Sequence, residues 1–301
     1  MATQTATPKK DTRIDVYDIV TGRIMDHLQK GIVPWRVPWT DAGIPQNLIS
    51  KRAYRGVNSM LLACLGYERN LFVTSKQLKE LGASIKPEEK PHVLIYWNVA
   101  EKGHEGSEKE TAGKRNGPFL RYYTVYNIGQ CMGIPPELIP EVAKEATPGA
   151  ACERIVSGLL NGPAIRHKDP EAYYDCLEDY VNVAKIKSFD NEGHYYSALF
   201  HQLVHSTGHH SRLDRMGLVQ MPEFGCEPYT MEELTAEIGT SFLQSLTGIT
   251  GTFFQSAEYI PEWIAKLRSD KYFIVTAATQ AQKATDFILN VQAEEKEHVE
   301  S

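Results

Sequence analysis

The chain has 301 residues and a mass of 33.9 kDa, with 42% hydrophobic and 23% charged side chains, which is typical of a folded protein of one or two domains. This composition excludes a chain that is disordered along most of its length. No run approaches the roughly 18 apolar residues that span a bilayer, and residues 1–10 are polar, so the sequence predicts a cytoplasmic protein without a membrane partner. The five cysteines are widely spaced and include no Cys-x-x-Cys pair, which predicts reduced thiols.

Charge is distributed unevenly along the chain. Residues 1–130 contain 19 Lys and Arg against 13 Asp and Glu, whereas residues 131–301 contain 13 against 25. The halves therefore carry net charges of +6 and −12 within a total of −6. A basic half joined to an acidic half predicts a polyanionic partner for the first. The alternative is that both sets of charges are solvated surfaces.

The N-terminal half is predicted to form an α+β domain over residues 13–130, after a disordered tail at residues 1–12. Residues 14–30 carry apolar side chains every fourth position and predict a helix that Gly31 ends. A polar, Gly-containing excursion is predicted at residues 101–118. The other elements predicted in this half are two short helices and then two strands, at residues 58–65, 75–81, 92–99 and 120–128.

Two tryptophans and an arginine lie around two prolines in the segment Pro34-Trp35-Arg36-Val37-Pro38-Trp39. Because proline interrupts helices, the segment is predicted to be an extended loop that displays these side chains. Base stacking on aromatic rings and phosphate contacts from basic residues are the two components of single-stranded DNA binding. The predicted DNA-binding residues are Trp35, Arg36, Trp39, Lys51, Arg52, Tyr54 and Arg55. The alternative is that the tryptophans fill a small core beneath the arginines.

Asn58 is predicted either to hydrogen-bond a base or to cap the helix that follows it. Residues 131–150 contain four prolines and are predicted to be a linker with a short helix inside it. Beyond the linker, residues 151–293 are predicted to form a mainly helical domain, and residues 294–301 a frayed tail. Strand-like runs are expected at 172–175 and 179–186, and helices at 151–161, 195–207, 230–246, 261–267 and 272–293.

The acidic half contains a candidate metal site. His201 and His205 are four positions apart, which places both imidazoles on one face of a helix, at the separation at which two histidines bind one tetrahedral ion. The next long helix carries Glu233 and Glu237 on one face, and Thr230 and Glu233 are predicted to form a capping box at its start. Glu233 is the predicted third ligand and Glu237 the carboxylate that orients a ligand histidine, with the reverse assignment open.

The predicted ion is Zn²⁺ with one bound water, and Mn²⁺ or Co²⁺ are expected to bind in vitro. A metzincin pattern is excluded, because the position six residues after His205 is Ser211. His209 and His210 remain open as ligands but are out of register with the helix pair.

Gln202 stands directly after the first histidine, where zinc peptidases carry the glutamate that acts as general base. An amide neither accepts the proton of zinc-bound water nor returns it to the leaving amine, so hydrolysis is predicted to be impaired while metal binding persists. The glutamine is either a natural feature of an inactive relative or a deliberate replacement.

Several separated segments resemble the ArdC-type antirestriction proteins of conjugative plasmids: Pro34–Trp39, Tyr54–Asn58, Tyr123–Asn127 and His201–Leu213. The resemblance implies an N-terminal domain that binds single-stranded DNA and a C-terminal zincin-like, gluzincin-type metallopeptidase domain. It also implies protection of incoming plasmid DNA from host restriction in a bacterial donor or recipient cell. The family pattern has Glu at the position of Gln202.

The function predicted from the sequence is a DNA-binding module that localises a zinc peptidase. One alternative is a noncatalytic protein that coats or masks DNA and has a structural metal. Another is a peptidase whose basic domain recruits protein instead of nucleic acid. A candidate protein substrate is part of the host restriction machinery.

Overall fold

The computed structural model describes residues 15–36, 43–98, 119–140, 147–215, 227–249 and 260–291. The predicted tails, the excursion at residues 101–118 and Trp39 lie outside the described residues. Within the described ranges no helix is both long and apolar enough to cross a membrane. Four of the five cysteines are described and all four are free thiols: Cys64, Cys131, Cys152 and Cys176. The fold is α+β with two domains.

The N-terminal domain combines helices with a small mixed sheet. Its helices are α1 (Val16–Gln29), α2 (Gly56–Ala63) and α3 (Ser75–Glu80). Its strands are β1 (Gln46–Asn47), β2 (Leu71–Val73), β3 (Ser84–Ile85), β4 (His92–Asn98), β5 (Phe119–Asn127) and β6 (Cys131–Met132). The main sheet has the order β1-β2-β5-β4, in which all of β4 pairs antiparallel with residues 119–125 of β5, and β3 pairs with β6. The predicted α+β domain is therefore present.

Side chains from two helices satisfy the outer edge of β4. The Asn58 side-chain amide of α2 donates to the Ile95 carbonyl at 2.7 Å, and its oxygen accepts from the Ile95 amide at 2.9 Å. Arg23 of α1 donates to the carbonyl of Val93, two residues earlier. These bonds occupy backbone groups that an edge strand otherwise presents to solvent. Asn58 is 6% exposed, so both roles predicted for it, base contact and helix cap, are wrong. The N-cap of α2 is Arg55.

The predicted linker contains ordered structure. Residues 131–132 are strand β6, which pairs with the N-terminal domain, and the predicted short helix is a 3-10 turn at Pro136–Leu138. Residues 141–146 lie outside the described part of the chain, and a helix begins at Pro148.

The C-terminal domain is mainly helical, as predicted. Its helices are α4 (Pro148–Gly158), α5 (Glu192–Ser206), α6 (Glu227–Thr247), α7 (Ile260–Ser269) and α8 (Phe273–Ile288). A three-stranded sheet lies beside α5, with strands β7 (Ala164–Arg166), β8 (Tyr173–Asp175) and β9 (Tyr180–Asn182) in the order β7-β9-β8. Because α6 already begins at Glu227, Thr230 lies inside the helix, and the predicted capping box at its start is wrong.

Close packing of α5 on α6 determines the geometry of the candidate metal site. A Cβ atom at Gly239 of α6 would lie 2.9 Å from Cγ2 of Val204 in α5, so only glycine permits this approach. Val204, Leu203 and Leu243 are fully buried between the helices. The two helices that carry the predicted ligands are therefore held in contact.

One buried hydrophobic cluster, which we call the shared core, contains residues of both domains. Val20 and Ile24 of α1 belong to the same buried cluster as Ile238 of α6, Trp263 of α7 and Ala278 of α8. Outside this core, the Lys271 ammonium pairs with Asp15, and the Thr21 hydroxyl donates to the Lys271 carbonyl at 2.8 Å. The first helix of the basic half therefore packs on the acidic half.

Candidate metal centre and DNA-contact residues

Three predicted ligands converge between α5 and α6. His201, His205 and Glu233 each offer one ligand atom, and these atoms lie within 4.8 Å of one another. Glu233 Oε2 is 3.5 Å from His201 Nε2, Glu233 Oε1 is 3.5 Å from His205 Nε2, and the two imidazole Nε2 atoms are 3.0 Å apart. Two imidazoles and one carboxylate that converge at this spacing fit a divalent cation with a position left open for water.

Glu232 is the carboxylate that contacts the Nδ1 atom of a candidate ligand histidine. Glu232 Oε1 is 3.1 Å from His205 Nδ1, the ring nitrogen that faces away from the other ligands. The prediction that Glu237 orients a histidine is therefore replaced by this contact. Glu237 lies 4.0 Å from the Arg36 guanidinium. A carboxylate on Nδ1 fixes the tautomer that leaves Nε2 free to bind metal.

Arg215, which the sequence analysis missed, holds Glu232 in place. Its guanidinium donates to both Glu232 oxygens, at 2.9 and 2.6 Å, and to the Thr207 hydroxyl at 2.6 Å. Burial raises the pKa of the Glu232 carboxyl, but Arg215 together with His205 outweighs this effect and holds that pKa below its ordinary range. The Glu232 carboxylate is therefore charged beside His205.

Neighbouring glutamates also change the pKa of His201. Burial lowers the pKa of an imidazole, but the hydrogen bond to Glu233 and the charges of Glu233, Glu237 and Glu232 raise the pKa of His201 above its ordinary value. A site that attracts a proton in this way also attracts a cation.

Gln202 does not accept a proton from this centre. Its side-chain amide donates to the Ala172 carbonyl at 3.3 Å, one residue before β8. Because β8 is the outer strand of its sheet, this bond ties the sheet edge to the helix that carries both histidines. His209 and His210 lie beyond the end of α5, and His209 Nδ1 is 2.7 Å from the Ser211 hydroxyl.

Three of the predicted DNA contacts belong to the interior. Trp35 is fully buried in the shared core, with its ring 5.3 Å from that of Trp263 in an edge-to-face arrangement. Tyr54 is 7% exposed and packs on Phe72. Neither ring presents a face for a base, so both predictions are wrong, as is that for the buried Asn58. The alternative reading of Trp35 as a core residue is correct.

The predicted basic contacts occupy different environments. Arg36 is largely buried beside Glu237, and burial lowers the pKa of its guanidinium while Glu237 opposes the shift. Arg55 is exposed and pairs with Asp286 of α8. Lys51 and Arg52 are exposed, and the Lys51 ammonium donates to the Leu138 carbonyl. DNA contact by these four residues stays a prediction, as does contact by Trp39.

Comparison with known proteins covers both domains. The model for the N-terminal domain of the anti-restriction factor ArdC matches residues 14–126, and a zincin-like metallopeptidase model, MPTase-PolyVal, matches residues 152–280. The antirestriction protein ArdC from plasmid R388 has 33% sequence identity to this chain, and its two crystal structures match the fold with TM-scores of 0.75. The metal-free structure covers 92% of this chain and 97% of that one, and the Mn(II)-bound structure 94% and 100%.

Relatives of similar identity differ in length. The uncharacterized protein y4eC of Sinorhizobium fredii is 32% identical over 296 residues, which cover 94% of this chain and 93% of y4eC. Two DNA primases TraC of Escherichia coli are 32% and 30% identical over 91% of this chain, which spans only 27% and 20% of their lengths.

Fold and site thus define a two-domain protein in which a zincin-like metallopeptidase domain follows an N-terminal domain of the ArdC type. The extent of the match to ArdC and y4eC makes the relationship specific. The chain belongs to the ArdC antirestriction family.

Proposed function

We propose that this chain is an antirestriction protein that binds single-stranded DNA through its N-terminal domain and one Zn²⁺ ion through His201, His205 and Glu233. In this role it protects incoming plasmid DNA from host restriction in the bacterial cytoplasm. The observation that carries the proposal is the convergence of these three ligands in a chain of the ArdC family. The Mn(II)-bound ArdC structure supports a divalent ion.

The residues around the metal position fit binding better than hydrolysis. A bound divalent ion would supply Lewis acidity toward water or a peptide carbonyl. Glu232 and Arg215 would keep His205 in its ligating tautomer. Gln202 offers an amide that is already engaged with Ala172, so the chain places no carboxylate at the position of the general base. We therefore propose that peptidase turnover is weak or absent.

A second candidate function follows from the same hydrogen bond. The Gln202 amide joins α5 to the sheet edge, which suits a site whose ion has a structural role. The second candidate is therefore a noncatalytic protein that masks DNA and uses the ion as a structural element. The two candidates differ in whether restoring the carboxylate restores hydrolysis.

The deciding experiment compares wild type with Gln202→Glu and Gln202→Ala at equal Zn²⁺ occupancy, measured by elemental analysis. Loss of general-base assistance costs about 10²- to 10⁴-fold in rate. Gln202→Glu is therefore expected to raise cleavage of casein and unfolded proteins at least about a hundredfold, whereas Gln202→Ala is not. Equal activity in all three proteins, with restriction protection retained, would favour the masking function. Absence of stoichiometric metal in wild type, or its retention by His201→Ala, would contradict the site itself.

A further inference from the structure

The burial of Trp35 and Tyr54 removes the stacking rings expected from the sequence, and strand β5 presents others. Strand β2 pairs with β5 only at Tyr126 and Asn127, whereas β4 pairs with residues 119–125 of β5. Within the described part of the chain, residues 119–125 of β5 therefore have a neighbouring strand on one side only. We call this open side the β5 edge.

Exposed side chains flank the β5 edge on both faces of the sheet. Arg121 and Tyr122 are both exposed, and because successive strand residues alternate, they project to opposite faces. Tyr122 is 49% exposed, and it is the one exposed aromatic residue among those of the N-terminal domain whose side chains the structure describes. Tyr96 lies opposite Arg121 in the ladder and packs edge-to-face on Tyr123, with centroids 5.8 Å apart. A strand of nucleic acid along this edge would meet a guanidinium on one face and a phenol ring on the other.

The charge of these two strands suits a polyanion. The sixteen residues of β4 and β5 include four tyrosines and no Asp or Glu, although the chain has 38 acidic residues. Phosphates near Arg121 thus meet no carboxylate from either strand. Base faces are accessible in single strands but hidden in a duplex, so stacking on Tyr122 selects the single strand.

We propose that single-stranded DNA binds along the β5 edge, with a base stacked on Tyr122 and a phosphate at Arg121. This inference rests on the proposed single-stranded DNA binding and gives it a location. It differs from the surface predicted from Lys51, Arg52 and Arg55, which belong to the β1–α2 connection.

The test is fluorescence anisotropy of the full chain with a labelled dT20 oligonucleotide at several salt concentrations. Tyr122→Ala is expected to weaken binding about tenfold at an unchanged salt slope, because stacking is lost, and Tyr122→Phe to bind like wild type. Arg121→Gln is expected to lower the slope by about 0.7, the contribution of one single-strand phosphate. The matched controls in the C-terminal domain are Tyr272→Ala, whose ring is 50% exposed, and Arg154→Gln.

The outcomes separate this inference from the function on which it rests. If wild type binds dT20 with a salt-dependent affinity but Tyr122→Ala and Arg121→Gln bind equally well, the β5 edge is wrong and DNA binding stands. A loss seen only in Lys51→Ala/Arg52→Ala would also overturn the β5 edge. Equal or tighter binding of a 20-base-pair duplex would contradict stacking on Tyr122. If wild type does not bind dT20 at all, the proposed function fails with it.

Discussion

A single buried arginine connects three parts of the metal centre. Arg215 bonds to Glu232 of α6 and to the Val204 carbonyl and Thr207 hydroxyl at the end of α5. Buried charges are tolerated where they are paired and fully hydrogen-bonded, and removing one partner leaves the other uncompensated. Arg215 and Glu232 are therefore placed to act on a bound ion through His205, and neither is one of the three candidate ligands.

Replacement of Glu232 tests this arrangement. Glu232→Gln keeps the shape of the side chain but removes the charge that faces Arg215 and His205, so Zn²⁺ affinity measured by titration calorimetry is expected to fall about 10- to 100-fold. The free energy of unfolding of the metal-free protein is expected to fall by about 3 kcal/mol. Glu237→Gln is the comparison variant: that carboxylate lies near Arg36 and acts on His201 through its charge, so a smaller loss of affinity is expected. A larger loss of affinity in Glu237→Gln than in Glu232→Gln would restore the assignment made from sequence.

Residue patterns predicted the three side chains that converge better than they predicted the residues that hold those side chains in place. The spacing of His201 and His205 and a glutamate on the next helix were enough to select the three groups that converge. Glu232 and Glu233 are adjacent and point about 100° apart on a helix, so the choice between them depends on how α6 crosses α5. Similarly, composition around Trp35 cannot distinguish a displayed ring from one that a neighbouring domain covers.

At the scale of elements, a salt bridge joins the turn after α5 to the β8–β9 hairpin. The Arg212 guanidinium donates to both oxygens of Asp179, to the Tyr174 hydroxyl and to the Ser206 carbonyl. Hydrogen bonds from Arg212 lower the pKa of Asp179 to about 2, against burial, which raises it. This bridge keeps the hairpin against the end of the helix that carries both histidines.

The Asp179 shift predicts a pH-dependent contribution to stability. Because the folded pKa of about 2 is below the ordinary 3.8, the stabilisation is fully present above about pH 4 and is lost as pH falls through 2. Asp179→Asn is expected to lower the free energy of unfolding by about 1–2 kcal/mol at pH 7, after allowance for partial exposure, and by much less at pH 2. Urea unfolding at both pH values measures the difference. Asp190→Asn, at a carboxylate that is 94% exposed and 3.7 Å from the His194 imidazole, should have little effect, and a pH-independent loss in Asp179→Asn would refute the linkage.

The helices and the two long strands were predicted from sequence patterns, whereas the two-residue strands were not. The predicted helix at 14–30 is α1, and the strands at 92–99 and 120–128 are β4 and β5, each within two residues at either end. Strands β1, β3 and β6 have two residues each, too few for alternation to register. Their strand geometry comes from pairing with distant residues, which a local pattern does not contain.

At the scale of the whole molecule, the two domains are separate in sequence but their buried side chains pack together. Trp35 enters the core next to Trp263, and the Ser241 hydroxyl of α6 donates to the Trp35 carbonyl. Gly56 at the start of α2 donates its amide to Gln282 of α8 at 2.9 Å. The apolar periodicity of each helix predicts which face is buried but not which helix covers it, so the shared core could not be predicted from the sequence. Because this core is shared, we expect the two domains to open together.

Metal binding therefore provides a test of cooperativity between domains. A ligand that binds only the folded state at about 100 times its Kd adds about 2.7 kcal/mol to global stability. If α1 opens only with the whole molecule, the amides of its buried residues Val20 and Ile24 should exchange about 100-fold more slowly with Zn²⁺, matching those of α5. Hydrogen exchange followed by mass spectrometry measures both helices, and His201→Ala should abolish the effect in each. Protection confined to α5 and α6 would show that α1 opens independently, despite the core that it shares with α7 and α8.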